Sequence, residues 1–254
     1  MLEIKNLTSG YGKKTVIKSV SANFKNGRLI SIIGPNGSGK STLLKTINGI
    51  IPTVSGDIIV DGKSLLSLKR QDIAKKIAYL SQGKNIPDMI VEQMVLHGRF
   101  PYLHYPRRYT KKDREIVNSV MQQMNISNYA KSALSTLSGG MRQSVYIAMA
   151  LAQNTDYILL DEPTTYLDIS HQLELMKILR ELAQNGKGII SVMHDLPLAF
   201  TFSDEIVVIN NGEIVMQNTP ENLLSSGVIK SVFGVELSSL YDFSVKSDNK
   251  INLL

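Results

Sequence analysis

Between an apolar run, Leu29–Ile33, and a helix-forming stretch starting at Lys40 lies Gly34-Pro35-Asn36-Gly37-Ser38-Gly39-Lys40-Ser41. This is the spacing of a phosphate-cradling loop, G-x-x-x-x-G-K-S, with a strand before it and a helix after it as that loop requires. Glycines let backbone N–H groups turn inward, where a Cβ would block the approach or forbid the dihedrals. The helix start adds its partial positive charge. The pattern assigns Lys40 to the outer phosphates of a nucleoside triphosphate and the Ser41 hydroxyl to Mg²⁺. Gly34, Asn36, Gly37, Ser38, Gly39 and Thr42 are expected to line the phosphate chain.

A site that hydrolyses a triphosphate also needs a carboxylate to place the metal and a group to orient water. Tyr157-Ile158-Leu159-Leu160-Asp161-Glu162 supplies two carboxylates at the end of a buried-type strand, where open α/β sheets hold their ligands. Successive strand residues point opposite ways, so Asp161 and Glu162 are free to take different roles. Asp161 is expected at Mg²⁺ and Glu162 at the attacking water. An acidic pair before a proline is, taken alone, usually a strand end; the phosphate loop changes that reading.

Alternating strands and helices must position these groups. Period-two or continuous apolar runs predict strands over 2–7, 16–24, 29–33, 58–60, 77–81, 157–160, 188–193 and 205–209. Helical spacing predicts helices from Lys40, over 113–124, over 144–153 and over 171–184, the last closed by Asn185-Gly186. The stretch from about 83 to 154 reads as helical throughout. Strand-helix alternation on both sides of a helical insert predicts an α/β core with a parallel sheet. The division expected is a nucleotide-binding core of residues 1–83 and 155–254, with 84–154 as an inserted α-helical subdomain.

Composition narrows the setting. The chain has 254 residues, 43% of them hydrophobic, enough for a substantial core. Its longest apolar run, residues 145–152, falls short of the roughly 20 residues a bilayer span needs, so a membrane role would come through a partner. The start, MLEIKNLTSG, lacks the basic and apolar regions of a signal peptide, and there are no cysteines, so the expected location is cytoplasmic. A net charge of +6 is scattered except at Arg107, Arg108, Lys111, Lys112 and Arg114, which read as a solvated helix start. No ladder of arginines and aromatics points to nucleic acid.

Leu137-Ser138-Gly139-Gly140-Met141-Arg142-Gln143 resembles the signature of ABC ATPases and lies between the phosphate loop and the acidic pair, in that family's order. Met141 replaces the family's usual glutamine. Ser138 is placed to cap the following helix, with Gly139 and Gly140 leaving N–H groups free. The resemblance implies a P-loop NTPase fold, with a RecA-like parallel sheet, an N-terminal antiparallel β portion and the helical insert. It also implies ATP and Mg²⁺ as ligands and a head-to-tail dimer in which Ser138, Gly139 and Gly140 complete the partner's site. By the same resemblance Tyr11 stacks on adenine, Gln82 senses Mg²⁺ and the permease, Asp168 links the two sites of the dimer, and His194 contacts the γ-phosphate. A lone histidine is more often structural; its place after the run 189–193 favours the switch role.

Two stretches are similar to the ATPases of importers for iron-siderophores, haem and cobalamin. They are Asp161 to Ile169 continued by His171-Gln172, and Gly98-Arg99-Phe100-Pro101-Tyr102 with the helix start near Asp113. That resemblance implies two integral-membrane permease subunits, an extracytoplasmic substrate-binding protein and a place on the cytoplasmic face of the membrane. Ferric-siderophore is the first expectation for cargo, with haem and cobalamin as alternatives. A soluble ABC ATPase acting on ribosomes or DNA, an ATP-binding module without turnover, and a nucleotide kinase are the competing readings. One phosphate loop, no sustained heptads, and intact Lys40, Asp161, Glu162 and His194 count against them.

Overall fold

The computed structural model describes residues 1–81, 86–165 and 167–235, so Gln82, Tyr166 and the chain beyond Val235 lie outside the described residues. The strands are β1 (Leu2–Tyr11), β2 (Lys14–Phe24), β3 (Leu29–Ile33), β4 (Thr53–Val60), β5 (Lys63–Ser64), β6 (Ile77–Leu80), β7 (Tyr157–Asp161), β8 (Gly188–Val192), β9 (Glu205–Asn210) and β10 (Glu213–Asn218). The helices are α1 (Lys40–Ile47), α2 (Arg70–Ala74), α3 (Val91–His97), α4 (Lys111–Gln123), α5 (Gly139–Ala152), α6 (Ile169–Gln184), α7 (Leu196–Phe202), α8 (Pro220–Ser225) and α9 (Val228–Phe233).

Two sheets form. The first, in the order β2-β1-β4-β5, is antiparallel; the second runs β10-β9-β3-β8-β7-β6 and is parallel from β9 to β6, with β10 antiparallel at its edge. The expected α/β architecture is therefore present, antiparallel N-terminal portion included.

Strand periodicity explains how one sheet serves two cores. On β3, β7, β8 and β9 alternate residues face opposite ways. Leu29, Ile158, Leu160, Ile189, Ile206 and Val208 join a core with α3 to α7, while Ile30, Ile32, Leu159, Ile190, Val192 and Val207 join a core with the first sheet and α1. Burial on both faces is why these strands read as nearly continuous apolar runs, interrupted by the buried serines Ser31 and Ser191. The parallel strands thus present their C-terminal ends as one rigid edge, and β3 and β7 deliver the phosphate loop and the acidic pair to it.

Some boundaries differ from expectation. Helix α5 starts at Gly139, where Ser138 caps it, five residues before its apolar pattern becomes readable. Strand β10 pairs with β9 only at the sheet edge and is partly exposed, which blurs its alternation. Helices α7, α8 and α9 are too short for a helical period to show. Among the described residues, no helix is long and apolar enough to cross a membrane.

The stretch holding α3, α4 and α5 closes over a buried ion pair. Arg99 Nε donates to Asp113 Oδ1 at 2.9 Å, and the Arg99 guanidinium also donates to the Ala152 carbonyl at 2.9 Å and stacks on the Tyr102 ring. Asp113 completes a capping box with Thr110 at the start of α4. By contrast Lys111, in the charge cluster, has its side chain 92% exposed. Burial pushes the Asp113 carboxyl up, but hydrogen bonds from Thr110 and Arg99 outweigh it and hold the group below its ordinary value.

Removing Asp113 leaves a buried guanidinium without its carboxylate, so Asp113→Ala is expected to cost about 3–5 kcal/mol in urea unfolding at neutral pH. Because the folded carboxyl titrates lower than the unfolded one, its contribution is complete above the ordinary carboxylate pKa and fades as pH falls through the lowered folded value. The difference between wild type and variant should shrink on acidification; a constant difference would contradict the assignment.

Candidate active site

The phosphate loop leaves β3 after Ile33 and enters α1 at Lys40. Gly39 caps that helix with a left-handed backbone (φ 106) and no side-chain hydrogen bond, so the first-turn amides stay uncovered. Gly34 is required for a different reason: a Cβ there would run into the Ile209 carbonyl and lie 2.7 Å from Ser38 Oγ. The loop is also braced from outside. Gly212, in the β9–β10 turn, donates to the Ser38 carbonyl at 3.0 Å and accepts from Lys18 N–H at 2.9 Å.

Lys40 is buried, and its ammonium donates to the carbonyls of Gly34 at 2.8 Å and Pro35 at 3.0 Å. Burial lowers its pKa, while the nearby charges of Glu162 and Asp161 oppose that shift. Ser41 Oγ donates to Asp161 Oδ1 at 2.8 Å. Thr42 is buried, Asn36 and Gly37 are exposed, and Ser38 Oγ is buried with no hydrogen-bond partner among the described residues.

Strand β7 ends at Asp161, and the two acidic side chains diverge by a route other than strand alternation. Glu162 has a left-handed backbone (φ 55), unusual for a residue with a Cβ. That turn brings Glu162 Oε1 to 2.5 Å from His194 Nε2 and Oε2 to 3.3 Å from Thr165 Oγ1. His194 follows β8 and is exposed. Lys40, Ser41, Asp161, Glu162 and His194 thus gather at the C-terminal edge of the parallel strands.

Tyr11 stands exposed at the tip of the β1–β2 hairpin, paired with Lys14. Val16 and Ile17 of that hairpin lie against Gly39. Ser138 and Gly139 are exposed and Gly140 half-buried at the start of α5, where Ser138 Oγ accepts from Met141 N–H at 3.3 Å. Asp168 is exposed and caps α6, accepting from the His171 N–H at 2.9 Å. Gln82 falls outside the described residues.

Two contributors were not identified from sequence. Tyr79, on β6, donates its hydroxyl to Asp161 Oδ2 at 3.1 Å, and burial followed by the Asp161 charge pushes the phenol pKa up, so it remains a donor. Its position two residues before the end of a predicted strand beside β7 was the available signal. The Gly212 turn, marked in sequence by Asn210-Asn211-Gly212, is the other.

The close approach at Gly34 yields a prediction. Gly34→Ala has to displace the Ile209 carbonyl, so it is expected to destabilise the fold by about 1–3 kcal/mol and to weaken nucleotide binding together with stability. Thermal unfolding and titration with a fluorescent nucleotide check both; wild-type values in both would contradict the packing described.

Comparison with known proteins places this arrangement. The family profile described as ABC transporter matches residues 17–165. The chain is 39% identical over 237 residues to the petrobactin import ATP-binding protein FpuD of Bacillus anthracis, covering 92% of this chain and 87% of that one. It is 38% identical over 238 residues to the ferric enterobactin transport ATP-binding protein FepC of Escherichia coli K12, covering 93% and 88%. Among solved structures, the dimeric bacterial ABC transporter cassette MJ0796 superposes with a TM-score of 0.74 at 30% identity, over 87% of this chain and 99% of that one. With a phosphate loop, an acidic pair and a signature turn in that family's order, this chain belongs to the ATP-binding cassette family of ABC transporters.

Proposed function

We propose that the chain hydrolyses Mg-ATP in a head-to-tail dimer of itself and thereby drives uptake of a metal chelate, foremost a ferric-siderophore, through two separate membrane permease subunits. The observation that carries this reading is the division of the chemistry. Lys40, Ser41, Asp161, Glu162 and His194 gather at one edge of the parallel sheet, while Ser138 and Gly139 stand exposed at the start of another helix. Exposed glycine amides at a helix start suit a phosphate that a second chain presents. A dimeric relative structure and relatives named for petrobactin and ferric enterobactin transport support the dimer and the cargo class.

The residues present fit the ligands proposed. Ser38 Oγ, buried and without a partner, suits a phosphate oxygen. Ser41 and Asp161 offer the oxygen donors that Mg²⁺ prefers. When bound, Mg²⁺ neutralises charge on the phosphate oxygens. Lys40 exchanges its loop carbonyls for the β- and γ-phosphate oxygens, and the backbone N–H groups of Gly34 and residues 36–42 cradle the chain. Glu162 accepts a proton from the attacking water, and His194 orients that carboxylate and contacts the γ-phosphate. Tyr79 holds Asp161 in place. Tyr11 stacks on adenine.

In this reading residues 1–83 and 155–254 form the nucleotide-binding core, and 84–154 form a subdomain that carries Ser138–Gly140 to the partner. Gln82 and the helical stretch beyond it meet the permease, and Asp168 links the two sites. The chain works at the cytoplasmic face of the membrane, held there by the permease, and a substrate-binding protein delivers cargo from the other side.

Two experiments test this. Glu162→Gln is expected to keep ATP affinity while turnover falls at least about 100-fold, and, trapped with Mg-ATP in native membranes, to co-purify with multi-helix permease subunits. Near wild-type turnover would remove Glu162 from its role, and ribosomal or DNA partners would replace the transport reading. Tyr79→Phe is expected to weaken divalent-cation affinity about tenfold with ATP affinity in its absence unchanged. Mn²⁺ titration followed by electron paramagnetic resonance reads this directly, and unaltered affinity would contradict a role for Tyr79.

A further inference from the structure

Helices α5 and α6 begin beside each other, and one imidazole touches both starts. In the first turn of α6, His171 Nδ1 lies 2.8 Å and 2.9 Å from the two carboxylate oxygens of Asp168. The opposite edge of the ring lies over Gly140. A Cβ at Gly140 would run into His171 Cδ2 and lie 2.7 Å from Cγ and 2.8 Å from Nε2. Gly140 is therefore needed here for packing as well as for any approach of phosphate. The backbone N–H and then the ring of His171 hold the Asp168 carboxyl below its ordinary value, so it stays ionised and accepts from Nδ1–H.

Helix capping alone does not account for this contact. The cap of α6 is made by the backbone N–H of residue 171 donating to Asp168, and any non-proline residue supplies that donor. The imidazole adds something separate: it ties the loop carrying Asp168 to the turn carrying Ser138–Gly140. Both segments are exposed at Asp168, Ser138 and Gly139, and both face the second subunit in the dimer proposed above.

We infer that His171 is a positioning residue that clamps Asp168 to Gly140, so that each subunit presents its signature turn and its linking loop to the partner as one rigid edge. The inference rests on the sandwich-dimer reading. Its consequence is that a shift of the Asp168 loop at one nucleotide site moves the same chain's Gly140 at the other.

The test uses the full chain carrying Glu162→Gln, with Mg-ATP-driven dimerisation followed by analytical ultracentrifugation. Adding His171→Ala keeps the backbone cap but removes the clamp, and is expected to weaken the dimer about tenfold, the scale of one lost hydrogen bond to a charged group. His171→Asn places an amide nitrogen where Nδ1 was and an oxygen over Gly140, and is expected to restore dimerisation to within about threefold. ATP affinity of the dilute monomer should be unchanged in both. His171→Leu, which keeps bulk but no donor, should behave as alanine does and serves in its place if that variant unfolds. A donorless variant that dimerises as well as its parent, or an asparagine variant as weak as it, overturns the clamp. A Glu162→Gln parent that stays monomeric with Mg-ATP overturns the sandwich reading and the clamp with it.

Discussion

The ammonium of Lys40 is buried beside two carboxylates, within the loop that joins β3 to α1. Keeping a cation desolvated is costly unless its donors are used, and in this chain two carbonyls of its own loop accept them. The same donors are the ones a triphosphate needs. These contacts tie the loop to its own lysine, and in the proposed reading phosphate oxygens replace them. The rest of the core keeps the loop rigid: β3 and α1 fix its ends, the Gly212 turn braces its middle, and the β1–β2 hairpin packs on Gly39.

Around this loop the acidic groups are kept apart by geometry. Ser41 and Tyr79 donate to the two oxygens of Asp161 and so fix its orientation, whereas the left-handed turn at Glu162 directs that carboxylate to His194. Holding a non-glycine residue in this conformation carries strain of order 1–3 kcal/mol, and such positions cluster where mechanism needs them. In the proposed reading the second half of the chemistry comes from the start of α5, which Ser138 caps and where Gly139 is exposed.

Much of this was legible before any coordinates. Leu29–Ile33 reads as a buried strand because four of its five residues are apolar, with Ser31 the exception, and the loop after it declares itself by spacing alone. Asp161 and Glu162 stand out at the end of an apolar run in a chain that also carries the phosphate loop, whereas His194 is expected from the family resemblance together with its place after the run 189–193. The unread parts share a physical cause: they depend on neighbours distant in sequence. Tyr79 matters only because β6 lies beside β7, and Gly212 only because the β9–β10 turn folds back on Ser38. His171 served in sequence as a marker of resemblance, and its contact with Gly140 required α5 and α6 to be placed together. The expected strand alternation at Asp161 and Glu162 does not hold, since the strand stops before Glu162 and the side chains diverge through its left-handed backbone instead.

The chain has no cysteine, which makes one measurement unusually clean. Asn36, exposed on the phosphate loop, and Ser138, exposed at the signature turn, would be changed to cysteine in two separately tagged chains, both carrying Glu162→Gln, and the chains mixed under oxidation. The account predicts a disulfide-linked pair carrying both tags, formed with Mg-ATP and absent without it. Cross-links confined to chains of one kind, or none in the presence of Mg-ATP, would contradict a site shared between the phosphate loop of one subunit and the signature of the other.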